Sequence, residues 1–168
     1  LRTKWGRIQL EGVSTVEGFE RILKEHPFFA SLEPEHSLLL ASFARNYCFA
    51  AGQYLFHEGE PADEFFLIRD GTAALEIAAP GKTPAVIQTL SSGEIAGASW
   101  LVPPYRWTSD ARAVTPVRAI GIDAGCLRGK CDASSRLGYE MMKRFLPLLA
   151  MRLKATRLQF LDVYRAAC

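Results

Sequence analysis

A chain of 168 residues, 49% hydrophobic and 23% charged, holds enough material for one domain with a buried core and too little for two full ones. Its mean hydropathy of +0.03, without an apolar run long enough to span a bilayer, excludes a membrane helix. The net charge of +2 comes from 20 basic and 18 acidic side chains scattered without a basic block, so neither membrane nor nucleic acid is expected to bind this chain itself.

In chain order, the opening LRTKWGRIQLEGVS has neither an apolar signal core nor a small-residue cleavage site and reads as cytoplasmic. Residues 1–14 are set apart as a tail, and residues 15–168 are read as a single domain. From Thr15 to Ala44 apolar residues recur at helical spacing, first Val16, Phe19, Ile22 and Leu23, then Leu38, Leu39, Ala41 and Phe43. Pro27 and Pro34 divide them, which predicts two or three short helices over 15–46, one of them starting at Pro34.

Over residues 47–125 the pattern changes to short segments, YLFHEG, FFLIRDG, AALEIA, AVIQTL and VRAIGID, punctuated by Gly52, Gly59, Gly71, Gly81 and Gly93. Many short strands at this spacing predict a sandwich or barrel. Helical spacing returns over 126–168. Met142, Leu146, Leu149, Leu153, Thr156, Phe160 and Val163 form a heptad seam, and Leu148, Leu158 and Leu161 a second stripe. One stripe suits the domain and the other a second copy, so a homodimer through the C-terminal helix is expected. Pro147 is expected to separate a shorter helix ending near Phe145 from a longer one. Cys48, Cys126, Cys131 and Cys168 show neither a disulfide framework nor a paired metal spacing and read as inert thiols.

The stretch AAGQYLFHEGEPADEFFLIRDGTAALEI, residues 50–77, resembles the cyclic nucleotide-binding domain, the sensor of catabolite-activator-type regulators, kinase regulatory subunits and gated channels. The resemblance rests on Gly52, Gly59, Asp63, Phe65 to Ile68 and Gly71, and extends over roughly residues 16–165. It implies a mainly β fold with flanking α-helices: an antiparallel double-stranded β-helix, or jelly-roll β-roll, with N-terminal helices and a long C-terminal helix. The glycines suit positive-φ turns between antiparallel strands. DNA-binding members carry a helix-turn-helix after the long helix, which this sequence does not include.

In that family a Gly-Glu-Leu-Ala motif opens a short helix whose amides hold a cyclic phosphate, while the glutamate accepts the ribose hydroxyl. Gly93, Glu94, Ile95 and Ala96 match the motif. A phosphate-binding arginine is then expected five positions before Arg112, and that position is Trp107, followed by Thr108. Arg106 lies one residue early, on the opposite face of an extended segment unless a bulge restores its register. The interval from Glu94 to Trp107 is also longer than is usual in the family. Trp107 either stacks on a ligand ring or plugs the cavity. Thr156 matches a helix residue that touches the base in bacterial members, and it equally suits a dimer seam.

The resemblance thus implies a non-enzymatic sensor for cAMP, cGMP or another small anion, with Gly93, Glu94, Ile95, Ala96, Arg106, Trp107, Thr108 and Thr156 as candidate ligand residues. The alternative is a degenerate roll that no longer binds a cyclic nucleotide and serves in dimerisation or docking, or takes a different small ligand. A metal-dependent jelly-roll enzyme needs several strand histidines, and the β segment has only His57. His26 and His36 read as surface or packing residues.

Overall fold

The structure is a computed structural model and describes residues 15–78, 81 and 83–166, with side chains as far as Leu158. The tail over 1–14, Cys168, and the side chains of Phe160, Leu161 and Val163 therefore lie outside what is described.

Two N-terminal helices come first, α1 (Val16–Glu25) and α2 (Pro34–Ser42). Thr15 caps α1, its hydroxyl oxygen accepting the Gly18 N–H at 3.2 Å, and α1 buries Phe19 and Leu23. Pro34 occupies the first turn of α2, where its missing N–H costs nothing. Eight strands follow: β1 (Ala44–Phe49), β2 (Tyr54–Phe56), β3 (Glu64–Asp70), β4 (Ala73–Ile77), β5 (Ala85–Leu90), β6 (Ile95–Ala96), β7 (Asp110–Ala113) and β8 (Val117–Asp123). A 3-10 helix (Ala98–Leu101) lies between β6 and β7, and α3 (Ala124–Ala133) and α4 (Ser135–Ala166) complete the chain.

All the strand pairs are antiparallel, and the strands form two four-stranded sheets in the orders β1-β8-β3-β6 and β2-β7-β4-β5. This is the expected β-roll with flanking helices and a long C-terminal helix. The run Phe65, Phe66, Leu67 and Ile68 in β3 is buried without alternation, as befits a strand covered on both faces. The turn glycines Gly52, Gly59 and Gly71 have φ of +86°, +79° and +84°, the conformation the sequence pattern calls for. At Gly71 any side chain is excluded twice over, because a Cβ would also lie 2.0 Å from the Pro116 carbonyl oxygen.

The structure corrects the reading of the C-terminal region. Pro147 lies inside α4, which runs unbroken from Ser135 to Ala166. Proline in a helix interior removes one hydrogen bond at a cost of about 3 kcal/mol, and here the helix is held by packing on both sides of it. Leu137, Met141 and Phe145 are buried before Pro147, and Leu148 and Leu149 pack on the core after it. The heptad seam is divided as well. Leu149 and Thr156 face the roll, whereas Met142, Leu146 and Leu153 are 49%, 59% and 54% exposed. Among the described residues no helix is long and apolar enough to cross a membrane.

Phe145 is fully buried and stands edge-on to Phe28, Phe65 and Trp100, with ring centroids 5.0, 5.2 and 5.3 Å away. These rings come from the N-terminal region, β3 and the 3-10 helix. Replacing Phe145 with Ala is expected to destabilise the fold by about 3–5 kcal/mol, read as a lower urea midpoint with an unchanged m-value.

Candidate functional site

The sheet β2-β7-β4-β5, the turn entering the 3-10 helix and the inner face of α4 enclose a cleft of about 200 Å³. Phe56, Leu75 and Ile87 line it from the sheet, Gly97, Ala98 and Ser99 from the turn, and Thr108 and Ser109 from the approach to β7. From α4 come Leu149, Arg152, Ala155 and Thr156. Their spacing of three, three and one residues places them on one helix face, which is why a single element supplies a whole wall.

Trp107 is the central wall residue. It is 5% exposed and stacks on Phe56 with centroids 3.9 Å apart and planes 12° from parallel. Its backbone is fixed by N–H donation to the Glu60 carbonyl at 3.0 Å and by accepting the Gly59 N–H at 2.9 Å. The same extended pairing sends Arg106 outward, because successive side chains alternate faces. Arg106 pairs across from Pro61, its Nη1 donates to the Gly59 carbonyl at 2.6 Å, and it does not line the cleft. No bulge brings it in.

Gly93, Glu94, Ile95 and Ala96 do not open the short helix. Gly93 and Glu94 form a turn, and Ile95 and Ala96 form β6, paired to Leu67 and Phe66 of β3. That pairing consumes the backbone and pushes the helix start four residues on, to Gly97 and Ala98. None of the four residues lines the cleft. Glu94 is exposed, and its carboxylate accepts the Ser91 N–H at 2.7 Å. Gly97 precedes the helix with φ of +96°, and Ala98 follows it where the sequence pattern calls for a glutamate. Counted from Ala98 the interval to Trp107 is four residues shorter, which removes the excess length noted in the sequence. Gly97 also makes Trp107 possible, since a Cβ there would lie 2.6 Å from the indole Cζ3 and 2.7 Å from Cη2.

Thr108 and Thr156 both line the cleft, and the Thr156 hydroxyl donates to the Arg152 carbonyl of its own helix at 3.0 Å. Sequence reasoning missed Arg152 as a site residue. It carries the one full charge among the described residues lining the cleft. Its Nη2 donates to the Ile95 carbonyl, and its buried Nε has no hydrogen-bond partner. Burial holds this guanidinium below its ordinary value, an effect that the Glu94 carboxylate opposes. The signal available in sequence was a cation interrupting an apolar stripe, three residues after Leu149 and four before Thr156. Arg112, the other arginine near this sheet, is held by buried Glu76, with Nε 3.1 Å and Nη2 2.5 Å from the carboxylate.

Residues 48–134 match the family model of the cyclic nucleotide-binding domain. A solved structure from Geobacter metallireducens named for cyclic nucleotide binding is 30% identical, with a TM-score of 0.73 over 80% of this chain and 97% of that one. A cyclic nucleotide-binding domain from Methylobacillus flagellatus is 22% identical, with a TM-score of 0.70 over 88% of this chain and 83% of its own. A CRP-like cAMP-activated global transcriptional regulator of Mycobacterium tuberculosis is 26% identical over 144 residues, 86% of this chain. The chain spans 62% of that regulator's length.

The contact between Gly97 and Trp107 is directly testable. Gly97→Ala places a methyl group against the indole in a left-handed backbone, and is expected to destabilise the fold by about 1–3 kcal/mol. Urea denaturation followed by circular dichroism measures the loss, and the same substitution in a Trp107→Ala background should cost less.

Proposed function

The chain belongs to the cyclic nucleotide-binding domain family, and from that premise we propose that it is a non-enzymatic sensor domain in which ligand entry moves α4 and a second copy paired through α4 reports the movement. One observation carries this reading. The same helix gives Leu149, Arg152, Ala155 and Thr156 to the cleft and turns Leu146 and Leu153 outward, more than half exposed. A ligand therefore touches the element whose outer face is free to pair. The exposed leucines lie seven residues apart, a repeat that suits a parallel copy of the same helix. The regulatory character of the relatives supports the reading, since their names describe a transcriptional regulator and a kinase regulatory subunit.

Replacing Leu146 and Leu153 with Glu removes the outward stripe without entering the core. Light scattering is expected to show a dimer for the native chain and a monomer for the double variant. A native chain that is monomeric at high concentration overturns the pairing.

A second reading concerns the ligand, and Trp107 favours it: this cleft is poorly suited to cAMP and cGMP. The position expected to pair with the cyclic phosphate carries an indole already stacked on Phe56, and Ala98 stands at the helix start where a ribose-binding carboxylate would be needed. Charge-assisted contacts are roughly twice as strong as neutral ones, so their absence weakens binding by about two orders of magnitude. Calorimetric titration of the native chain is expected to give weak or no binding of either nucleotide. Trp107→Arg is expected to strengthen it by at least about tenfold, equivalent to about 1.4 kcal/mol. Micromolar binding of cAMP by the native chain would refute this reading.

A further inference from the structure

We infer that the cleft is a receptor for a small aromatic carboxylate, its anion held by Arg152 and its ring held against the Trp107 and Phe56 pair. This rests on the sensor reading above and goes further by assigning the ligand class and the residue that selects it.

Size sets the first limit. A cavity of about 150 Å³ accommodates benzene, whereas sites for drug-sized ligands run from about 300 Å³ upward. The cleft holds about 200 Å³, room for one ring bearing a short acidic arm. The lining sets the second. Phe56, Leu75, Ile87, Trp107 and Leu149 give the cleft an apolar wall, against which a ring packs by the burial of apolar surface.

Charge sets the third. Among the described residues Arg152 makes no ion pair within salt-bridge distance, and its buried Nε lacks a partner while Nη2 is engaged with the Ile95 carbonyl. Glu94 is near enough to interact electrostatically, but it is exposed and its carboxylate is already bonded to the Ser91 amide. A half-buried cation with an unsatisfied donor is costly to leave unpaired. An anionic ligand removes that cost, and the planar guanidinium matches a carboxylate with two parallel N–H donors. Ser99, Thr108 and Ser109 also line the cleft, where hydroxyls can select among ring substituents.

The experiment is calorimetric titration of the native chain with phenylacetate, its uncharged isostere phenylacetamide, cAMP and cGMP, repeated on Arg152→Gln. Phenylacetate is expected to bind at least about tenfold more tightly than phenylacetamide, and Arg152→Gln is expected to abolish that ratio. The comparison of acid with amide on the native protein needs no variant, so it stands even if Arg152→Gln loses stability. Equal binding of acid and amide, or an acid affinity unchanged in Arg152→Gln, overturns the assignment. If cAMP or cGMP binds more tightly than phenylacetate, the ligand class falls and the sensor reading stands. If none of the four binds at millimolar concentration, the carboxylate assignment falls. If in addition none alters the light scattering of the native chain, the sensor reading falls with it.

Discussion

The edge-to-face packing of Phe145 against Phe28, Phe65 and Trp100 fixes α4 on the roll, and the cleft inherits its geometry from that contact. Leu149, Arg152 and Thr156 follow Phe145 at four, seven and eleven residues, so they share its face of the helix. Once the ring is seated, these side chains have no choice of direction. Arg144 reinforces the seating from the adjacent position, its Nε donating to the Phe28 carbonyl at 3.1 Å and its Nη2 to the Ser31 hydroxyl at 2.9 Å. Packing in the core thereby determines which residues meet a ligand, and the outward stripe of Leu146 and Leu153 is what the same rotation leaves over.

The β-roll was legible because its signals are local. Gly52, Gly59 and Gly71 mark turns that require positive φ, and the apolar segments between them are too short for helices. The start of the 3-10 helix was not legible, for a reason that is not local. Gly93 and Gly97 both have positive φ and stand four residues apart, so sequence offers two equivalent openings. The choice is made by β3, whose Phe66 and Leu67 draw Ala96 and Ile95 into a strand. An adjacent Glu94 made the wrong glycine attractive.

The heptad seam divides for a related reason. A seven-residue repeat says that two positions per heptad are apolar, and it does not say that both face the same neighbour. Here one half of the repeat, Leu149 and Thr156, turns to the roll, and the other half, Leu146 and Leu153, turns to solvent. Arg152 escaped notice because a charge beside an apolar stripe ordinarily reads as solvated. Its burial depends on β6 presenting the Ile95 carbonyl to it, a contact between residues 57 positions apart in the chain.

The fit of the Trp107 indole against Gly97 also couples two separate positions of the chain. With a Cβ at position 97 the indole has no room, and the backbone there already favours glycine through its φ of +96°. The two sites are therefore epistatic, and their effects cannot add as independent substitutions would. A side chain at position 97 is therefore tolerated only in a chain whose residue 107 is smaller than tryptophan and whose backbone at 97 has given up its left-handed turn.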